Sequence, residues 1–183
     1  MLIPLQRLVD RIRQPRSRAD EVADVRTRIA AARQGEGSTD EARELARDLA
    51  RQRVALSAAI GDVRSCTRCA RGRSLPSGRW DGGHCCSAST AEIFTDEEVR
   101  ALALAGTTPA RLVAPNGDHA GCAFRGETGC SLDVVDRPTL CVRYLCRELE
   151  GEIATRGDLR TVKKLAREVV ATLTRFERAT SRD

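Results

Sequence analysis

The residue pattern of this chain predicts a mainly helical fold with an N-terminal helical hairpin, a small cysteine-rich α+β region and a long C-terminal helix. Three observations lead there. Apolar residues recur at three- and four-residue spacing towards both ends of the chain. Aromatic residues are scarce, with three Phe, one Tyr and one Trp, so Leu, Val, Ile and Ala must build the core, which suits helices better than a sandwich. Between the helical ends, eight cysteines occupy a stretch dominated by Gly, Ser and Arg. A length of 183 residues suits one domain with an appendage. The expected division is a hairpin over 1–60, a cysteine cluster over 61–150, and a helix over 151–183 packed on the hairpin.

The elements follow in order. Leu5, Leu8, Val9 and Ile12 mark a short helix that Pro15 ends. Ser17 reads as an N-cap with Asp20 and Glu21 in the first turn, and Val22, Val25, Ile29 and Ala32 form the stripe of that helix. Gly35-Glu36-Gly37 is a turn. Ser38 and Glu41 make a capping box for a helix whose stripe is Ala42, Leu45, Leu49, Gln52 and Leu56. Two helices across a short Gly turn predict an antiparallel hairpin. Its seam is narrow and needs another helix, or another subunit, to cover it.

Residues 62–90 lose all apolar periodicity. From Arg64 to Arg79 there are five arginines and no acid. A structureless loop of this length is uncommon in a compact domain, but ligation of a metal by its four cysteines can stand in for a core. Thr95-Asp96-Glu97-Glu98 is a second capping box, opening a helix through Val99, Leu102 and Leu104 to Gly106 at C′. Arg111–Ala114, Gly121–Phe124 and Cys130–Val134 then read as three short strands in a meander, with turns at Asn116-Gly117 and around Gly126–Gly129. Asp136 reads as the cap of a helix carrying Pro138 in its first turn and then Cys141, Tyr144, Leu145 and Cys146. Asp158 starts the last helix, whose stripe is Leu159, Val162, Ala166, Val169, Leu173 and Phe176.

The cysteines carry the chemistry. They fall into two groups of four: Cys66, Cys69, Cys85 and Cys86, then Cys122, Cys130, Cys141 and Cys146. Residues Met1–Arg7 lack the basic segment and long apolar run of an export signal, so a cytoplasmic location is expected. Thiols are kept reduced there and serve more often as metal ligands than as disulfides. Soft thiolates suit zinc or an iron–sulfur cluster. A Cys-x-x-Cys turn at Cys66 and Cys69 places two sulfurs on one ion. The adjacent Cys85 and Cys86 serve two ions, or one ion and one open or redox position. Cys141 and Cys146 lie about 140° apart on an ideal helix; to share an ion they need the helix to end or distort near Leu145, and otherwise they face different ions. His84, beside Cys85, and His119, three residues before Cys122, are lesser candidates, since eight thiolates leave no need for imidazole.

The second half resembles a known family. Cys85-Cys86 followed by Ile93-Phe94-Thr95-Asp96-Glu97-Glu98-Val99, then Gly121-Cys122-Ala123-Phe124, Cys130-Ser131-Leu132, and above all Arg137-Pro138-Thr139-Leu140-Cys141-Val142-Arg143-Tyr144-Leu145-Cys146, resemble the motifs of the YkgJ-type, or CxxCxxCC, cysteine-cluster family. The resemblance covers about residues 64–150. It implies a zinc- or iron-chelating site built from eight cysteines in this order, with Arg137, Arg143 and Tyr144 behind the ligands or facing a substrate. The chain departs from the family where Ala70 to His84 separate Cys69 from Cys85, where the arginine of the last motif is displaced to Arg143, and where Leu145 replaces the proline before the last cysteine.

The expected function is therefore metal binding, as zinc or an iron–sulfur cluster, through the eight cysteines. An enzyme is the second reading: a metal- or cluster-dependent transferase or oxidoreductase acting on a peptide or protein. A redox or metal sensor or adaptor is the third, with the helical hairpin as the surface for a protein or peptide partner. No apolar run approaches the roughly 18 residues of a membrane span. The formal charge of +5 is a weak argument for nucleic acid, because eight thiolates on two zinc ions would offset about four of those charges. The Arg64–Arg79 stretch, with Trp80 at its end, reads as local charge balance for thiolates in preference to a nucleic-acid surface. No Gly-rich phosphate loop and no Ser–His–Asp order is present.

Overall fold

The computed structural model describes residues 16–35, 38–71, 73–74, 80–81, 88–115, 121–126 and 129–181. The helix expected around Leu5–Ile12 lies outside them. The described residues are mostly helical, with α1 (Arg18–Gln34), α2 (Asp40–Ile60), α3 (Arg64–Arg71), α4 (Thr90–Ile93), α5 (Asp96–Leu104), α6 (Thr139–Arg143), α7 (Arg147–Ala154) and α8 (Leu159–Thr180). Two antiparallel ladders of two residues per strand complete them: β1 (Arg73–Ser74) with β2 (Trp80–Asp81), and β3 (Arg125–Gly126) with β4 (Gly129–Cys130). The helical class, the small strand content and the long C-terminal helix agree with the sequence.

The apolar side chains form two clusters, and α5 is the wall between them. Val22, Val25 and Ile29 of α1 pack with Ile93, Phe94, Val99, Leu102, Leu112, Phe124 and Leu132. Phe94 and Phe124 meet with ring centroids 5.4 Å apart, tying the 121–126 segment to α4. In the second cluster, Ala42, Leu45, Leu49 and Leu56 of α2 pack with Ala101 of α5, Val142 of α6, Leu149 and Ile153 of α7, and Val162, Val169 and Phe176 of α8. The C-terminal helix covers α2 along its length, as its stripe predicts.

The two N-terminal helices do not cover each other. They follow one another in sequence, but α1 lies on α5 and the turn before Leu112, whereas α2 lies on α8. Each stripe finds a broader apolar surface later in the chain than its neighbour offers. The α2 stripe is thus buried under α8 of the same chain rather than left for a partner. Arg53, not Gln52, is the polar residue at its centre.

Local capping chemistry sets the ends. The Ser17 hydroxyl accepts from the Asp20 N–H at 3.1 Å. The cap of α2 is Thr39 rather than Ser38, accepting from the Ala42 N–H at 3.1 Å; this register puts Asp40 and Glu41 in the first turn, at the positive end of the helix dipole. Helix α5 closes through a Schellman arrangement, with the Thr107 N–H on the Leu102 carbonyl at 2.9 Å and the Gly106 N–H on the Ala103 carbonyl at 3.1 Å. Gly106 has φ of 103°, a region that L side chains enter only with strain.

The expected meander reduces to the β3–β4 hairpin. Pro109–Arg111 and Val134–Asp136 are single turns of 3₁₀ helix. Carbonyls that a ladder would have paired are taken by arginines: Arg18 donates to Pro115 at 2.7 Å and to Arg125 at 3.2 Å, and Arg26 donates to Leu112 at 3.1 Å. Asp136 is not a helix cap either. It is buried, accepts from the Thr107 hydroxyl at 2.7 Å and pairs with Arg111 at 2.9 Å. Pro138 occupies the cap position of α6.

The closest joint between α2, α5 and α6 is polar. Arg53 is fully buried, and its Nη2 donates to the Glu98 Oε2 at 2.7 Å and to the Thr139 hydroxyl at 3.0 Å. Glu98 Oε1 accepts from the Thr139 backbone N–H at 2.8 Å. Burial pushes the carboxyl pKa of Glu98 up and the Arg53 pKa down, each opposed by the other's charge. Replacing one member strands the other without water, so Arg53→Met is expected to cost about 3–5 kcal/mol in urea unfolding. Phe176→Ala, which opens a cavity between α2 and α8, is expected to cost a similar 3–5 kcal/mol or so. A loss below about 1 kcal/mol in either variant would contradict the packing described.

Candidate functional site

The six described cysteines lie on α3, in the turn before β3, on β4, in α6 and at the N-cap of α7. Cys66 and Cys69 lie on α3, in a region with no apolar period. They form part of a helix rather than a turn, and a spacing of three places both on one face. Its N-terminus is completed from a distance. Glu152 on α7 accepts from the Arg64 N–H at 2.7 Å and the Ser65 N–H at 2.9 Å, which satisfies two of the orphan amides of a helix start. These bonds hold the Glu152 carboxyl well below its usual range, at about 2. The preceding corner is held by Arg156, which donates to the Ile60 carbonyl and, at 3.2 Å, to the Asp62 carbonyl. At the other end of α3, buried Arg125 donates to the Cys69 carbonyl at 3.3 Å.

Helix α3 lies against β3 and β4, and β4 carries Cys130. Cys122 precedes this hairpin and is buried among the apolar residues of the first cluster. Burial pushes its thiol up to about 11, and charge on Cys130 acts in the same direction. The Phe124 N–H and the Thr90 hydroxyl offset part of this. Thr90 also accepts from the Ala123 N–H at 2.9 Å and donates to the Glu21 carboxylate, which ties the Cys122 turn to α4 and α1.

Cys141 and Cys146 separate. Helix α6 ends at Arg143, and Tyr144 leaves it with ψ of 110°, so the break falls where a shared ion would require it. Half-buried Cys141 packs on the first cluster and half-buried Cys146 on the second. Cys146 is the N-cap of α7, its Sγ accepting from the Leu149 N–H at 3.5 Å. Arg137 donates to the Leu132 carbonyl at 2.8 Å, while Arg143 and Tyr144 are exposed. Cys85, Cys86, His84 and His119 lie outside the described residues. Among the described residues, no three Cys, His, Asp or Glu side chains converge on a point that could hold an ion. Thiols have the donor chemistry for a soft metal, and among the described residues they do not assemble a ligand shell.

Sequence reasoning missed the groups that position these sulfurs. Glu152 and Arg125 act on backbone far from them in the chain, and no local pattern marks such a bond. Arg53 did leave a signal, because Leu49, Arg53 and Leu56 continue the four-and-three spacing of the stripe. Near the α3 N-terminus a cleft is lined by Asp62, Val63, Arg64, Arg68 and Glu152; its mixed charge does not single out an anion. Among the described residues, no helix is long and apolar enough to cross a membrane. No family model matches the chain, and neither a curated protein nor a solved structure matches it.

Two outcomes follow for the metal-free protein. The folded-state pKa of Glu152 lies below its ordinary 4.5, so its contribution is present above that pH and is lost as pH falls towards about 2. The protection of α3 amides, taken relative to their intrinsic exchange at each pH, should fall over that window in the wild type, and Glu152→Gln should remove most of the dependence. Iodoacetamide at neutral pH should modify exposed Cys66 early and buried Cys122 last; peptide mapping that finds Cys122 first would contradict its burial.

Proposed function

We propose that this protein binds a soft metal, as zinc or an iron–sulfur cluster, through Cys66, Cys69, Cys85, Cys86, Cys122, Cys130, Cys141 and Cys146. The observation that carries the reading is the seating of α3, the helix of Cys66 and Cys69, against the hairpin that bears Cys130, with Cys122 in the turn before that hairpin. Two cysteine-bearing elements far apart in sequence meet there, where the described residues form little regular ladder, and a metal would contribute folding energy directly in such a place. The resemblance of residues 64–150 to the YkgJ-type cysteine-cluster family supports the same ligand set and order. Thiolates held by zinc or iron lose their protons on binding, so a thiol as reluctant as Cys122 ionises only when the ion offsets its burial. Arg125, Glu152 and the Phe124 N–H would keep the ligand-bearing backbone in place during that exchange.

The deciding measurement is metal and acid-labile sulfide analysis, with an absorption spectrum, on protein purified without oxygen. Iron with sulfide and broad visible absorption would identify a cluster; colourless protein with stoichiometric zinc would identify closed thiolate sites. Stripping the metal with a chelator is expected to raise protease cleavage within residues 61–150 above that of the loaded protein, while α2 and α8 stay protected. Protein that carries neither metal and takes up neither on reconstitution would overturn the reading.

A further inference from the structure

The chain's formal charge of +5 is a weak argument for any partner, but its distribution is a stronger one. Helix α8 carries six basic and two acidic side chains. Arg160, Lys164, Arg167, Arg175 and Arg178, with Ala171 between them, follow one another at spacings of three and four and share one face. It is the face opposite Val162, Val169 and Phe176, which are buried where α8 meets α2. All five cations are exposed. At 1.5 Å per residue they run for about 27 Å along the helix. The arginines of α2 are matched by acids: Arg43 by Asp40 at 3.1 Å, Arg47 by Glu44 at 2.8 Å, and Arg51 by Glu44 and Asp48. On α8 the matching is slight. Lys164 meets Glu168 at 3.7 Å, and Lys163, to one side of the face, is taken by Glu150 of α7. Arg175 donates to the neutral Thr172 hydroxyl at 3.0 Å. Among the described residues, Arg160, Arg167 and Arg178 pair with no acid. A row of like charges left unmatched at the surface attracts a polyanion.

The chemistry of the face narrows the polyanion. Four of its five cations are arginines, whose forked donors suit phosphate oxygens. It carries no aromatic ring on which the bases of a single strand could stack. A lipid surface is held by apolar side chains inserted beside the cations, and the apolar stripe of α8 is already buried within the fold. The helix contains no Asn, Gln or Ser to read base edges. The major groove of B-form DNA admits an α-helix between two rims of phosphates, whereas that of duplex RNA is too narrow for side chains. We propose that the outer face of α8 binds the phosphate backbone of double-stranded DNA, without reading its sequence, through Arg160, Lys164, Arg167, Arg175 and Arg178. This function is additional to metal binding and does not depend on it.

The test is fluorescence anisotropy of a short labelled DNA duplex of mixed sequence, titrated with the full chain as purified at several salt concentrations. Five phosphate contacts predict a slope of about −4.5 in the logarithm of affinity against that of salt. Arg160→Gln/Arg167→Gln/Arg178→Gln removes three side chains that hold no acid in the fold, so the variant should unfold thermally as the wild type does. Its affinity should fall at least about tenfold at low salt, and its slope should shrink by about 2.7. Arg167→Glu, at the middle of the face, is the second variant should the triple fail to fold, with a loss of several-fold expected. Arg43→Gln/Arg47→Gln/Arg51→Gln on α2 removes the same charge elsewhere and should stay within about threefold of the wild type. Duplex RNA and phosphatidylserine vesicles, added as competitors, should displace the labelled DNA less well than unlabelled DNA does. A wild-type chain that does not bind the duplex at low salt overturns the proposal. So does wild-type affinity in the α8 variants, an equal loss in the α2 variant, or binding through α8 to the RNA or the vesicles but not to DNA.

Discussion

A guanidinium and a carboxylate shut away from water between three helices constrain the arrangement of the rest. Arg53 comes from α2, Glu98 from α5, and both close on Thr139 at the start of α6. Ions in a nonpolar interior are tolerated only as a pair with its hydrogen bonds made. The three helices therefore cannot slide independently. Because α5 stands between the two apolar clusters, this polar joint fixes how one core is set against the other. Because α6 continues to Cys141, the same joint fixes where the cysteine region meets the helical frame. A hydrophobic contact at that place would hold the helices together but would leave their register looser.

Among the described residues the cysteine region has little regular structure of its own, and its backbone is completed by distant side chains. Arg18 and Arg26 of α1 take carbonyls of the 112–125 segment, Glu152 of α7 takes amides of α3, and Arg125 takes the carbonyl of Cys69. An arginine-rich chain has the donors for this. The arrangement leaves the described cysteines on α3, the turn before β3, β4, α6 and the cap of α7, each anchored by a different neighbour.

What could be read in advance was local. The stripes of α1, α2 and α8, the Ser17 and Thr95 caps and the Gly106 terminus each express chemistry within a few residues. The capping-box reading at Thr95 failed in one instructive respect: the Thr95 hydroxyl does accept from the Glu98 N–H, but the Glu98 side chain turns inward to Arg53 instead of back to the cap. A helix-start motif and a buried ion pair ask for the same residue, and the partner 45 positions away decided the outcome. The meander failed for the same reason, and the stripes of α1 and α2 each found their cover later in the chain. In each case a distant group offered the backbone or the apolar stripe a better partner than the neighbour in sequence. For the ligands, spacing identified which cysteines travel together, such as Cys66 with Cys69 on one face. It could not show that Cys141 and Cys146 attach to different clusters, since that follows from the helix break at Tyr144.

The cap that Glu152 places on α3 has a bearing on how the chain is made. The two residues it serves, Arg64 and Ser65, lie 88 and 87 positions earlier in the chain. A ribosome delivers the Cys66–Cys69 segment long before it delivers the acid that completes it, and a helix of eight residues does not persist unaided. The first thiols to emerge are therefore among the last to be set in their final geometry. Between those moments they are exposed and unstructured, in the company of a cell's free metals and oxidants. The last third of the chain thus acts for the first cysteines as a built-in folding chaperone that arrives late.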